Sequence, residues 1–400
     1  MLSLAATILI MAAASAPSMF YPQLAVQLEL IPVATTLVFA VYTFTLLVAL
    51  LYLGPLSDHI GRRPVVAIGS LTLALSLAMF WFADSLATLL LARALQGLAA
   101  GLLIPSLSAM MIDFEPPSHP VAALWNTIGP MIGLGTGALG AALLLDLTPE
   151  PKTAVFGLLA LAFLIVAASV WSTPELVAKS RIQRSDLRPR FTVPSQMRRI
   201  FVAAVPAILA GWATNGLFLA LGAGLVGNEL GGSTHTHAGV VIFALAISGV
   251  IASVLLQRRS ARTISLYATI ALALGTALSI GALALHDYPV YVASVAIVGS
   301  GFGTAFLGVL RTLMPNTASS ERAAVMAVIY TVAYLAFGVP TIIAGLLVPV
   351  LTLSGTMTIL GAIIIALSLT ATVLRLRIPQ PSTCPPEDIH IPPVSTDVHH

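Results

Sequence analysis

One arginine lies inside a long apolar stretch of the chain. Arg93 stands about seven residues from one end of that stretch, or roughly 10 Å deep in hydrocarbon at about 1.5 Å per residue if the stretch crosses a bilayer. Insertion scales give such a position a cost of up to about 2.5 to 3.5 kcal/mol. Gln96 and Gly97 follow on the same helical face, and Gly97 with Gly101 would admit a neighbouring helix. We therefore expect Arg93 to face protein or a wet cavity.

A polar turn with a second charged group runs from Gly54 to Arg63. Asp58 can accept hydrogen bonds from backbone N–H groups or from a basic partner, and Gly61 can take a positive φ. Arg62 and Arg63 follow directly. The spacing favours a structured cytoplasmic turn between two spans, and the alternative is a tight turn whose arginines only set topology.

A third motif is a run of small residues with one proline. Gly129, Gly133 and Gly137 are spaced four apart and would share one helical face, while Pro130 deletes one helical hydrogen bond and permits a bend. This pattern predicts a closely packed helix.

A few polar side chains lie within apolar stretches and need internal partners, which a central cavity would supply. The candidate cavity residues are Asn126, Trp212, Asn215, Tyr330 and Tyr334. Each of them could instead serve packing. A pocket of this kind would suit uncharged, amphipathic or cationic drug-like molecules.

The chemistry of several other protein classes is missing from the sequence. There is no G-x-x-x-x-G-K-[ST] phosphate loop and no H-E-x-x-H motif, and Cys384 is the only cysteine. We therefore expect no enzyme, no cofactor and no metal site. No Asp or Glu lies deep in an apolar stretch, so any proton coupling would fall to Asp113 or Glu29, or to an effect of Arg93 on a site at the rim.

Composition indicates that lipid is the main solvent of the chain. Hydrophobic residues make up 58% of the 400 residues and charged residues only 8%, against about a quarter charged in ordinary globular proteins. A span needs about 20 apolar residues, so twelve helical spans would use roughly 240. We predict spans near 3–22, 33–54, 64–83, 87–111, 121–145, 154–172, 201–226, 238–256, 264–285, 289–310, 323–348 and 354–374. The first stretch has no basic n-region and is interpreted as a retained helix rather than a cleaved signal.

The basic residues indicate orientation and domain organisation. Sixteen of the 18 Lys and Arg fall in alternate connections or at the C-terminal end, which places both termini in the cytoplasm by the positive-inside rule. The predicted domains are an N-terminal six-helix bundle at 1–172, a cytoplasmic central loop at 173–200, a C-terminal six-helix bundle at 201–375 and a disordered, proline-rich tail at 376–400. Weak similarity between the two halves suits alternating access to a central site.

Together these motifs resemble those of the major facilitator superfamily. The turn from Gly54 to Arg63 is similar to motif A, with His59 replacing the usual basic residue; the Arg93 segment is similar to motif B; and the Gly129 segment is partly similar to motif C of the antiporter branch, with Leu134 replacing a glycine. The resemblance implies an all-α membrane protein with 12 transmembrane helices in two pseudo-symmetric six-helix bundles.

The resemblance also implies residue roles. Asp58 would latch the two halves by meeting the start of the eleventh span near 323–325, and Arg62 would pair with Asp113. Arg93, with Gln96 and Gly97, would take part in proton coupling, and a purely structural Arg93 is the alternative. The glycine run of the fifth span would lie at the interface of the halves.

The predicted function is secondary active transport, with proton-coupled efflux of small amphipathic or drug-like compounds by alternating access. The alternative is uptake or facilitated diffusion of a small metabolite. Expected partners are a small-molecule substrate, protons and the lipid bilayer; no nucleic acid is expected, and the protein is expected to be a monomer in the cytoplasmic membrane.

Overall fold

The computed structural model describes residues 1–115, 121–177, 191–318 and 321–377, and within these ranges the chain is helical with no β-strand. The α-helices are α1 (Leu2–Gln27), α2 (Pro32–Leu53), α3 (Leu56–Ile60), α4 (Arg62–Trp81), α5 (Leu86–Asp113), α6 (Ala122–Leu147), α7 (Leu158–Ser169), α8 (Arg198–Glu229), α9 (His235–Leu256), α10 (Ala261–Ala284), α11 (Tyr288–Leu313) and α12 (Arg322–Arg377). A π-helical turn at Thr153–Gly157 leads into α7 and completes that span.

Eleven helices in the described ranges are long and apolar enough to cross a membrane, and the last of them is long enough for two crossings. α12 has 56 residues, far more than the roughly 20 that one span needs. It is broken at Thr352, which has a φ of 65°, three residues after Pro349. The Thr352 hydroxyl accepts a hydrogen bond from the Gly355 N–H and so caps the second arm of α12. The predicted twelve-helix fold is confirmed.

Lipid-facing surfaces explain why these helices show little amphipathic character. Large apolar side chains such as Leu71, Leu75 and Ile165 are more than half exposed on the protein surface, where a water-soluble protein would place charges. Polar caps mark some of the helix starts: the side chains of Ser85, Ser260 and Asp287 each accept a backbone hydrogen bond from the first turn that follows.

The two six-helix bundles repeat the same packing scheme. In the first bundle α1 packs on α6, α2 on α5, and α4 on both α5 and α7. In the second bundle α8 packs on α12, α9 on α11, and α10 on both α11 and α12. Each pair in the second bundle is the counterpart, six spans later, of a pair in the first.

The bundles contact each other mainly through two helix pairs, α6 with α9 and α2 with α12. Glycines permit both approaches. A Cβ on Gly239 would lie 2.6 Å from the Cβ of Ala142, and a Cβ on Gly345 would overlap the side chain of Thr36. α1 also contacts α8, whereas α5 and α11 make no comparable contact in the described ranges.

Two predicted boundaries differ from the structure. The predicted central loop, 173–200, ends too late, because Ser195–Met197 form a helical turn and α8 begins at Arg198. The predicted tail begins too early, because the second arm of α12 continues to Arg377. Residues 178–190 of the loop and 378–400 of the tail lie outside the described residues.

Candidate functional site

Arg62 connects the polar turn to the end of α5. The turn consists of the short helix α3, then Gly61 with a φ of 100°, then the start of α4. Arg62 donates from Nε to Asp113 Oδ2 at 3.1 Å and from Nη1 to Ser57 Oγ at 2.7 Å and to Asp58. The expected pairing of Arg62 with Asp113 is therefore present.

Glu175, which the sequence analysis did not single out, fastens the start of the central loop to this turn. Its carboxylate accepts hydrogen bonds from the backbone N–H groups of Arg62 at 3.1 Å and Arg63 at 3.0 Å. Burial alone would raise the pKa of the Glu175 carboxyl, but the hydrogen bonds from Arg63, Arg62 and Val177 lower it below its ordinary value. Gly61 is needed here for space as well as for its φ, because a Cβ would lie 2.7 Å from Glu175 Oε2.

Asp58 does not make the expected contact with the start of the eleventh span. Its side chain is 60% exposed, and its hydrogen bond goes to Arg62 on the next turn of its own segment. No hydrogen bond to residues 322–325 is found in the described part of the chain. The physical reason is that the bundles close on each other at the opposite end of the molecule. Gly54, before the turn, faces Pro105 of α5, with a Cβ 3.8 Å from the proline Cγ.

The opposite end is closed by Asp146 at the end of α6, another residue that the sequence analysis did not select as a site. Asp146 accepts from the backbone N–H of His235 at 3.0 Å and of Thr236 at 2.8 Å, from the Thr236 hydroxyl at 2.6 Å and from His235 Nδ1 at 2.7 Å. It thus satisfies the first turn of α9 in the other bundle. Gln23 of α1 shares a 3.0 Å hydrogen bond with His235 Nε2. We name this group, Gln23, Asp146, His235 and Thr236, the Asp146 clasp.

Arg93 is fully buried among neutral groups. Its guanidinium donates to the Tyr21 hydroxyl, to the Ala14 carbonyl at 3.3 Å and to Gln96, whose amide in turn donates to the Ala13 carbonyl at 2.8 Å. Four aromatic rings surround the guanidinium carbon at 5.3 to 5.8 Å: Tyr21, Phe39, Tyr42 and Phe80. This arrangement holds a charge in the bilayer by hydrogen bonds and cation–π contacts.

Gly97, beside Arg93, brings α5 against α2. A Cβ on Gly97 would overlap the Tyr42 carbonyl and lie 2.8 Å from the backbone nitrogen of Leu46. Because Tyr42 is one of the four rings around Arg93, this close approach sets the position of that ring.

The glycine run of α6 packs within its own bundle. Gly129, Gly133 and Gly137 all face α1, where added Cβ atoms would meet Leu4, Ile8 and Ala12 in turn. The expectation that this run lies between the halves is wrong. α6 does reach the other bundle, but through its adjacent face, where Gly135 meets Ala246 and Phe243 of α9. Pro130, next to Gly129, lies inside the unbroken helix α6.

Four of the five predicted cavity residues come together in the second bundle. The Trp212 ring lies edge-on to Tyr334 with centroids 4.9 Å apart, and Tyr334 stacks on Tyr330 at 6.3 Å. Asn215 stands three residues after Trp212 on α8 and is 7% exposed. The Trp212 indole nitrogen and Asn215 Oδ1 are buried without a hydrogen-bond partner in the described chain. With Phe306, 6.1 Å from Trp212, we name these residues the aromatic cluster.

Asn126 is not joined to the aromatic cluster by any described contact. Its amide donates to the Ser108 carbonyl of α5, in the first bundle, at 3.5 Å. An amide in an apolar stretch needs an internal hydrogen-bond partner, and both a ligand and a neighbouring backbone carbonyl can provide one. The residue type alone therefore does not predict which of the two is present.

Phe39 and Phe337 connect the Arg93 group to the aromatic cluster across the two bundles. Their ring centroids are 5.2 Å apart, Phe337 lies 6.2 Å from Trp212, and Phe39 lies 5.8 Å from the Arg93 guanidinium. The sequence gives no local sign of these contacts, because the rings belong to helices far apart along the chain.

Comparison with known proteins agrees with this architecture. The family model described as Major Facilitator Superfamily matches residues 3–340. The chain is similar to the solved nucleoside transporter NupG, in a mutant form, with a TM-score of 0.69 and 14% identity over 94% of this chain and all of that one. At that identity the likeness shows the fold alone.

Curated relatives match over short stretches. The chain is 32% identical over 101 residues to the multidrug transporter mfsB of Aspergillus fumigatus, 28% over 82 residues to the quinolone resistance protein NorA of Staphylococcus aureus, and 53% over 45 residues to the multidrug resistance protein MdtM of Escherichia coli. The matched stretches cover 24%, 20% and 11% of this chain and 17%, 21% and 11% of these relatives. Span number, bundle repeat and family match lead to one conclusion: the chain belongs to the major facilitator superfamily and is a multi-pass membrane transporter, not an enzyme.

Proposed function

We propose that the protein exports small amphipathic, drug-like compounds by alternating access. The observation that carries this proposal is the aromatic cluster beside the junction of the two bundles, with two buried polar atoms that lack partners among the described residues. An unpaired indole N–H and amide oxygen cost free energy unless water or a ligand satisfies them. The names of the three curated relatives, all drug transporters or resistance proteins, favour the same substrate class.

The state of the two ends supports alternating access. The Asp146 clasp joins the bundles at one end, while Asp58 is exposed at the other. Because most Lys and Arg lie at the Asp58 end, we assign that end to the cytoplasm, which makes this an inward-open arrangement.

The proposed assignment has both termini in the cytoplasm and the protein in the cytoplasmic membrane, as a monomer. It joins the two six-helix bundles by a cytoplasmic loop that ends before α8 at Arg198, and it places a cytoplasmic tail after Arg377.

In this proposal the cytoplasmic turn acts as the second clasp. Asp58 would meet the start of the eleventh span near 323–325 when the outer end opens. The other members of the turn, Gly54, Gly61, Arg62 and Arg63, would hold Asp58 in place together with Asp113. Asp58 and Asp146 would then hold the molecule alternately closed at opposite ends, each by satisfying the first turn of a helix in the other bundle.

Proton exchange is the proposed energy source. Arg93, with Gln96 and Gly97, contacts Phe39, which packs against Phe337 of the other bundle. A change in the hydrogen bonds of Arg93 would therefore be transmitted to the aromatic cluster through these two rings. Gly129, Pro130, Gly133 and Gly137 keep α1, which carries the backbone partners of Arg93, close to α6.

A dye-accumulation assay tests direction and energy source together. Cells that produce the protein should accumulate less of an exported fluorescent dye than cells with the empty vector, and a protonophore should abolish the difference. Greater accumulation in producing cells would favour the alternative, uptake or facilitated diffusion. Export that persists after the protonophore would contradict proton exchange.

A further inference from the structure

The membrane interior of this protein carries a single kind of formal charge. In the described ranges every Asp and Glu lies at a helix end or in a connection, and Arg93 is the one Lys or Arg well inside a span. Asp146 and Asp113, for example, are the penultimate and the last residues of their helices. A substrate held between the two bundles at the depth of Arg93 would therefore meet no carboxylate of the described chain.

The charge of Arg93 is not neutralised by its partners. The guanidinium contacts a phenol, an amide, a backbone carbonyl and four aromatic rings, all without formal charge. Its Nη2 has no hydrogen-bond partner in the described chain. These groups solvate the cation but leave its long-range field in place, and a low-dielectric interior screens that field weakly.

This field reaches the aromatic cluster. The steps from the guanidinium to Phe39, from Phe39 to Phe337 and from Phe337 to Trp212 are 5.8, 5.2 and 6.2 Å, so Trp212 lies within about 17 Å of the charge. The ring of Tyr42 is only 5.4 Å from the guanidinium carbon. A ligand that contacts Trp212 from the side of Phe39 would sit closer to Arg93 than Trp212 itself.

The polar atoms of the cluster are neutral as well. The unpaired Trp212 N–H can donate to a ligand oxygen, and the unpaired Asn215 oxygen can accept from a ligand hydroxyl or amide. The ring faces could in principle attract a cation. However, Trp212, Tyr334 and Tyr330 already pack on one another, and Phe39 and Tyr42 are turned to Arg93.

We propose that the central site between the two bundles selects its ligand by charge and takes neutral or singly negative aromatic compounds in preference to organic cations of the same shape. This inference rests on the proposed central site and narrows its substrate class. At about 10 to 17 Å and an effective dielectric of about 20, one unit of positive charge on the ligand should weaken binding by roughly 5- to 15-fold. A unit of negative charge should strengthen it by a similar factor, less its own desolvation.

Three naphthalene compounds of matched size test this selection: 1-naphthylacetate, its amide, and 2-(1-naphthyl)ethylammonium. Binding is measured by equilibrium dialysis on purified full-length protein in nanodiscs of zwitterionic lipid. We expect the ammonium compound to bind at least about fivefold more weakly than the amide. An ammonium compound that binds as tightly as the amide, or more tightly, would overturn the proposal.

Three variants locate the source of the selection. Arg93→Gln should bring the three affinities together, and Arg93→Lys should keep their order. Asn215→Asp adds a carboxylate of almost the same shape to the cluster, so it should move the preference toward the cation when the new acid is ionised. If Arg93→Gln does not fold, the wild-type ratio and Asn215→Asp still decide the question. An unchanged ratio in both Arg93→Gln and Asn215→Asp would refute the assignment to Arg93.

A protein without charge selection and a protein without efflux would give different results in these assays. Binding of the three compounds without a preference would overturn charge selection alone and leave the dye assay unaffected. Absence of binding by all three would overturn charge selection together with the central site.

Discussion

Arg93 is a residue whose burial has to be explained by its immediate contacts. Its desolvation is offset by hydrogen bonds to neutral acceptors and by four aromatic faces. Each cation–π contact contributes about 0.5 to 2 kcal/mol in a desolvated site. This cage explains how the position can hold an arginine without a carboxylate partner, whether or not the residue also takes part in coupling.

Substitutions of Arg93 distinguish a purely structural role from a role in transport coupling. We expect Arg93→Ala to lower transport per folded molecule by about tenfold or more, because it removes the charge and leaves the Gln96 amide oxygen and the Ala14 carbonyl without the donor that Arg93 supplies. Arg93→Lys should retain part of the activity, since it keeps the charge but loses the planar fork. Lys152→Ala, at a connection, is the control. Full transport by Arg93→Ala in size-exclusion-purified, folded protein would make the burial purely structural.

Glu175 gives a pH dependence whose sign follows from its lowered pKa. A carboxyl with a pKa lower in the folded than in the unfolded state stabilises the fold above its unfolded pKa, and this contribution is lost as pH falls through the folded value. The wild type should therefore lose thermal stability below about pH 4.5 relative to Glu175→Gln, which is already neutral. The measurement is the melting temperature of purified protein between pH 3 and pH 7. Glu150→Gln, at an exposed position, serves as the matched control; identical curves for the wild type and Glu175→Gln would contradict the capping role.

At the scale of helices, the packing of α6 on α1 depends on positions without a side chain. A Cβ on Gly133 would overlap the Ile8 carbonyl and lie 2.8 Å from the Met11 Cβ, whereas a Cβ on Gly140 of the same helix meets nothing within 4 Å. We predict that Gly133→Ala lowers the melting temperature by several degrees, while Gly140→Ala is neutral or slightly stabilising through helix propensity. Fluorescence-detected size exclusion after heating checks both. Equal melting temperatures for the two variants would show that α1 and α6 are not in close contact.

The Asp146 clasp controls how α6 meets α9. Asp146→Ala removes the acceptor for two N–H groups, a hydroxyl and the His235 imidazole. The fraction of molecules that are open at the end of the Asp146 clasp should therefore rise by about tenfold. A cysteine placed at Ala142, which faces Gly239, reports the opening when the natural Cys384 is replaced by serine. Labelling from outside by a membrane-impermeant maleimide should rise severalfold in Asp146→Ala. The control is Asp84→Ala, whose described bond stays in its own bundle; an equal rise in that variant would show that the clasp does not hold the end closed.

For the molecule as a whole, hydropathy and charge placement were sufficient to predict the twelve spans, because lipid requires each span to satisfy its own backbone. The Arg62–Asp113 pair was also predictable, since Arg62 belongs to a recognisable motif and Asp113 ends the fourth span on the same side of the membrane. The missing Asp58 contact was not, because the choice between two conformations depends on a few kcal/mol spread over an interface. Glu175 and Asp146 were missed because each looks like an ordinary connecting residue, and their partners lie 113 and 89 residues away.

The central claim is that the two bundles close at opposite ends in alternation, and paired spin labels measure it most directly. One pair is placed at Phe82 and Leu285, near the Asp146 clasp, and the other at Phe114 and Leu255, near the Asp58 turn; all four side chains are exposed. When a transported compound or a pH step drives the cycle, pulsed dipolar spectroscopy should show the first distance lengthening while the second shortens. Distances that both stay fixed, or that change in the same direction, would contradict alternating access in this protein.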